Sequence, residues 1–122
     1  MHTHDFENVI ALMFKRRGSK VAFSDTFGDG DRGIIIDDMK YVQVKKYPFH
    51  HVMDIEHTKK FNKCMTSDGI YRGIMISLGG FKQNTQKFCH THVIECIDGN
   101  TLLAMCKEVQ TSQFSLARLI QD

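Results

Sequence analysis

The stretch GDGDRGIIIDDMKYVQVKKY, Gly28–Tyr47, decides the fold. A glycine-rich acidic turn leads into an isoleucine run, a short acidic turn follows, and a β-rich run ends in lysines. Two strands joined by a tight turn are the reading this pattern allows. Within YVQVKKY the side chains alternate, so Gln43 and Lys45 share one face while Val42 and Val44 share the other. A polar pair there has two readings. It is an exposed sheet face, or it is part of a metal-dependent phosphodiester cleavage site.

The flanks supply the rest of the order. Phe6, Ile10, Met13 and Phe14 recur at helical spacing, which predicts a helix over Asp5–Arg17 stopped by Gly18. KVAFSDTF alternates as a strand before the glycine-rich turn. After the lysine strand come a second helix over Met53–Met65, the strand YRGIMISL, a helix in FKQNTQKF, the strand HVIECI and a helix from TLLAMCKEV onward. Ile74, Met75 and Ile76 form a continuous apolar run, which suits a strand covered on both faces. The expected fold is α/β (α+β), a mixed sheet with the order α-β-β-β-α-β-α-β-α. It begins as an antiparallel meander and ends in crossovers that force parallel neighbours.

Residues 1–122, with 42% hydrophobic and 25% charged residues, fit a single domain with a core of its own. No apolar run approaches the roughly 20 residues that span a bilayer, and the N-terminus lacks the charge-then-apolar pattern of a secretory signal. The expectation is a cytoplasmic protein with no membrane partner and reduced cysteines. A net charge of +2 excludes little by itself. Its distribution says more: Asp25, Asp29, Asp31, Asp37 and Asp38 are bunched between basic clusters, which suits a metal-assisted enzyme acting on a polyanion.

Phosphodiester cleavage needs a divalent cation, oxygen ligands and a group that orients water or stabilises charge. Gln43 offers a side-chain carbonyl, and Lys45 projects from the same face. These segments resemble the Mrr-like restriction endonucleases of the PD-(D/E)xK nuclease superfamily. Phe6-Glu7 in FENVIALMFKRRGSKV is similar to the family's opening helix, GDGDRGI to its Gly-Asp-x-Gly-Ile-Asp turn, and YVQVKKY to its Gln-x-Lys strand. RGIMISLGGF and VIECIDGNTLLAM resemble the later strands and the phenylalanine loop.

The resemblance implies a restriction-endonuclease-like core, Mg²⁺ or Mn²⁺ dependence and action on DNA. The candidate site residues are Glu7, Asp31, Gln43 and Lys45, the first three as metal ligands, with Asp31 standing in for the aspartate that the family's pattern places at Ile35. Arg32, Lys46 and His50 are the candidate DNA contacts. With no second domain left over, a homodimer or a separate DNA-targeting protein is implied. Where the family reads Gly-Ile-Asp, this chain reads Gly33-Ile34-Ile35, so a catalytically inactive nuclease-fold module that binds DNA or a protein stays open. So does a junction-resolvase-like nuclease.

Two hairpin registers fit that departure. With Asp38-Met39-Lys40 as the loop, Asp37 faces Tyr41, Ile35 faces Gln43 and Gly33 faces Lys45. A shift of two residues pairs Gly33 with Gln43 and Asp31 with Lys45, bringing Asp31 into the site. The shorter loop favours the first. Zinc is the remaining candidate, since CHTHVIEC holds Cys89, His92 and Cys96, yet no Cys-x-x-Cys pair exists. Buried thiols and a histidine at a strand end are the favoured account, with His92 and Cys96 on one strand face.

Overall fold

A central sheet is assembled from one meander and two crossovers. The computed structural model describes residues 3–27, 31–45 and 52–109, with side chains for 6–24, 33–45 and 52–109. Helix α1 (Thr3–Arg16) precedes β1 (Val21–Phe27), β2 (Asp31–Ile36) and β3 (Lys40–Lys45). Then come α2 (Ile55–Ser67), β4 (Gly73–Ser77), α3 (Gln83–Thr91) and β5 (Ile94–Ile97). A last helix, α4, covers residues 99–109. The five strands lie in sequence order; β1–β2–β3 are antiparallel, and β3–β4–β5 are parallel. The order is the one expected from the sequence.

Helix ends follow local chemistry. Gly18 (φ 97°) closes α1: its N–H bonds Lys15, and the Ser19 N–H reaches back to Phe14 at 3.0 Å. Gly69 (φ 76°) closes α2 with the same pair of bonds, to Thr66 and, from Ile70, to Met65. Both are Schellman closures, which need a left-handed residue that glycine adopts without a Cβ penalty.

Two apolar layers sandwich the sheet. On one face Ile34, Ile36, Val42, Val44, Ile74 and Ile76 meet Ile10, Met13 and Phe14 of α1 and Leu102 and Val109 of α4. On the other, Tyr41, Met75 and Ile94 meet Phe61 and Met65 of α2 and Cys89 of α3, with Met53 below them. Burial of both faces is what parallel strands between crossover helices require. The reading of β3 as an exposed face is therefore overturned: Tyr41 to Lys45 are all buried.

The hairpin register is the second of the two, not the favoured one. Ile36 pairs with Lys40, Ile35 with Tyr41 and Ile34 with Val42 across the turn Asp37-Asp38-Met39. Both registers close over three residues, so loop length does not separate them. The turn itself decides. Asp37 (φ 53°) and Asp38 (φ 59°) are both left-handed, as a type I′ turn requires, and the Met39 N–H donates to the Ile36 carbonyl at 3.1 Å. The Lys20 N–H donates to the Asp37 carboxylate at 2.8 Å, and Lys20 Nζ meets Asp38 at 3.0 Å. Asp37 is thus spent on fastening the hairpin tip to β1.

Other local expectations shift slightly. Phe81 lies outside α3 and forms a parallel bridge with Met53. His92 caps α3 instead of opening β5, so it does not share a strand face with Cys96. Phe114, Leu116, Leu119 and Ile120, apolar residues that could extend the last helix into a dimer contact, lie outside the described residues.

Candidate active site

Strand β3 ends in a polar pair. Gln43 is 2% exposed and Lys45 8%, and alternation turns both toward the α2–α3 side along with Tyr41. In-register parallel partners share a face, so the next strand sets Met75 beside Gln43 and Ser77 beside Lys45. The face therefore changes character along its length. It is apolar at Tyr41 and Gly73 and polar at Lys45 and Ser77. This polar end lies where β3 and β4 finish, the end at which open α/β sheets bind ligands.

Strand β2 approaches the same end from the antiparallel side. Its register against β3 is set by the pairs Ile36–Lys40, Ile35–Tyr41 and Ile34–Val42. Ile35, opposite Tyr41, shares the face of Gln43. The side chains of Asp31 and Arg32 lie outside the described residues, as do Lys46 and His50 altogether. Ile35 sits against Tyr41 and packs on the α2–α3 cluster, away from the Lys45 end.

Glu7 comes from a different layer. It is 3% exposed on the stripe of α1 that carries Ile10, Ala11 and Phe14, the helix covering the Val42–Val44 face. Glu7, Gln43 and Lys45 each engage partners. The structure thus groups Gln43, Lys45 and Ser77 on one face, and buries Glu7 in the α1 layer.

The residue that sequence reasoning missed is Ser77. It is fully buried, and among the described residues its Oγ finds no hydrogen-bond partner. Such a group costs roughly 1–3 kcal/mol in desolvation. In the sequence it looks like the last residue of the run GIMIS. Only the β3–β4 register reveals that it stands opposite Lys45.

Gln43 brings an amide carbonyl to this end, while the Glu7 carboxylate lies in the α1 layer; both are oxygen donors of the kind Mg²⁺ and Mn²⁺ prefer. Among the described residues no three His, Cys, Asp or Glu side chains cluster closely enough to hold a metal. The thiols of Cys89 and Cys96 hydrogen-bond one another instead. That bond pushes the Cys89 thiol up, with burial adding to it, and brings Cys96 down. No helix among the described residues is long and apolar enough to cross a membrane.

Comparison with known proteins agrees with this architecture. The crystal structure of a protein of unknown function, AF1548, is similar, with a TM-score of 0.59 at 10% identity over 76% of this chain. At that identity the likeness concerns the fold alone, and the match spans 56% of that protein's length. No curated protein matches the chain. The family model Mrr_cat, described as restriction endonuclease, matches residues 1–106. Its domains act on DNA and generally use divalent metals. The chain belongs to this restriction endonuclease family.

Proposed function

We propose that the domain is a metal-dependent DNA endonuclease whose reacting centre lies at the polar end of β3. The observation that carries this reading is the buried pair Gln43 and Lys45, held on one face at the end of a central strand. An apolar pair would serve the core at lower cost, because a buried cation must be compensated. In a member of a restriction endonuclease family, a role in phosphodiester hydrolysis is the reason for keeping a polar pair there that makes chemical sense.

Asp31, the Gln43 carbonyl and Glu7 are the residues that would hold Mg²⁺ or Mn²⁺. A bound divalent cation supplies charge neutralisation and a more acidic water. The chain's own contribution is positional. Lys45 presents its ammonium to charge that develops on the phosphate, and the dry surroundings strengthen that interaction. Gln43 fixes an oxygen beside it without adding charge. The apolar packing around Tyr41 and Met75 keeps bulk water from the far side.

Arg32, Lys46 and His50 are proposed to meet the DNA backbone. A homodimer, or a separate DNA-targeting protein, would bring the domain to its substrate.

The test is cleavage of plasmid, branched and methylated DNA with Mg²⁺ or Mn²⁺, with Lys45→Ala alongside. The expected result is cleavage by the native chain and a loss of about 100-fold or more in the variant. Undiminished cleavage by Lys45→Ala would sink the catalytic role. The second reading is a nuclease-fold module that binds DNA without cutting it, favoured by Ile35 at the family's aspartate position. It expects DNA binding that is indifferent to divalent metal.

A further inference from the structure

Ser77 has no role in the reading above, and its environment calls for one. It ends β4 fully buried, is the in-register partner of Lys45, and among the described residues its Oγ lacks a hydrogen-bond partner. Buried hydroxyls are nearly always satisfied, so an orphan signals a water, ion or reacting group that completes it. The rest of the strand, Gly73 to Ile76, is apolar or glycine, so an alanine at its end would keep the strand and remove the orphan. The hydroxyl is retained at the one position of β4 that stands beside the lysine.

We propose that Ser77 is a catalytic residue: its Oγ hydrogen-bonds the water that attacks the phosphodiester and holds it beside Lys45. This rests on the endonuclease reading. Lys45 contributes charge, and Ser77 contributes direction. By accepting one water proton in a hydrogen bond, Oγ leaves a lone pair of the water free to face phosphorus. The water oxygen bonds phosphorus and the bond to the leaving ester oxygen breaks. One water proton departs to solvent, and the leaving oxygen takes one up, with no change of oxidation state.

The experiment compares the native chain with Ser77→Ala and Ser77→Thr. Expected are a fall in kcat of about 100-fold for Ser77→Ala with KM for DNA unchanged, and substantial recovery in Ser77→Thr, which keeps a hydroxyl. Thermal stability separates this role from a structural one. Removing an orphan hydroxyl leaves Tm equal or higher, whereas a structural serine would lower it. Full activity in Ser77→Ala overturns the proposal, and so does equal loss of activity and Tm in both variants. A crystal structure of the native chain supplies a readout independent of cleavage: an ordered water on Oγ, on the Lys45 side, is expected. Its absence overturns the proposal. If that water is present and the native chain cuts no DNA, the endonuclease reading fails and the water-holding role of Ser77 stands.

Discussion

The two ends of one sheet face are built for opposite purposes from the same pair of strands. At the Tyr41–Gly73 end, packing is so close that a Cβ on Gly73 would lie 2.5 Å from Met65 Sδ and 2.9 Å from Phe61 Cε2. The polar group there is satisfied, the Tyr41 hydroxyl donating to the Asp68 carboxylate at 2.7 Å. Two residues beyond Gln43 and Met75, at the Lys45–Ser77 end, the same layer encloses a cation and a hydroxyl that lacks a hydrogen-bond partner among the described residues. The contrast teaches where stability is generated and where it is given up. Close packing at one end offsets the polar burial at the other, which is how strained or unsatisfied groups persist at working sites.

Substitutions at the packed end should damage the fold and spare the chemistry. Gly73→Ala carries the largest expected effect on stability. Its added methyl overpacks a full layer, and a loss of roughly 1–3 kcal/mol is expected in denaturant unfolding. Cleavage per folded molecule should hold. If Gly73→Ala instead abolishes cleavage while leaving the unfolding midpoint in place, the division between the two ends is wrong.

Tyr41→Phe sharpens the same point with pH. Burial, with help from the hydrogen bond to Asp68, pushes the Tyr41 hydroxyl up from 10.0 to about 12. Folding thus favours the neutral phenol. Its contribution is complete below pH 10 and is lost as pH rises from there through about 12. The variant should lose about 1 kcal/mol at neutral pH. Its alkaline unfolding profile should also be flatter across that window than that of the native chain. A profile unchanged by the substitution would remove Tyr41 from the account of stability.

An effect of similar size belongs to Asp98, at the polar end of the sheet. Its carboxylate accepts from the Thr101 N–H at 2.8 Å and opens α4. Hydrogen bonds from the Thr101 backbone and side chain hold its carboxyl below the ordinary carboxylate range. A carboxyl lowered in this way stabilises the fold above its unfolded pKa, near pH 4, and the benefit fades as pH falls through the folded value. Asp98→Ala should cost about 1 kcal/mol at neutral pH, as loss of an N-cap does. The native and variant melting curves should converge in acid. A gap that persists at pH 2 would place the effect elsewhere than in the charged cap.

Much of this was legible in the chain. Element order followed from the spacing of Phe6, Ile10 and Phe14, the alternation in YVQVKKY and the apolar run at Ile74. The pairing of Gln43 with Lys45 on one face needed only the period of a strand. The register did not follow. It turns on Lys20, a residue of another segment that grips both turn aspartates, and a strand pattern carries no trace of that grip. Ser77 was hidden for a related reason. A serine ending an apolar run looks incidental until the neighbouring strand is slid into place. Asp98 does not stand out in the sequence, because a cap is recognised by the helix it opens and not by itself.

The turn at Asp37-Asp38-Met39 lies at the far end of the hairpin from Lys45, yet it works as the site's index. Strand faces alternate with period two, so changes in the length of that turn count by parity. Gain or loss of one residue would exchange the faces of β3 relative to β2, delivering Gln43 and Lys45 into the aliphatic layer and Val42 and Val44 onto the polar end. A change of two would keep the faces and slide β2 along β3. Even steps in this hairpin therefore leave both layers intact, whereas odd steps must be repaired by a bulge.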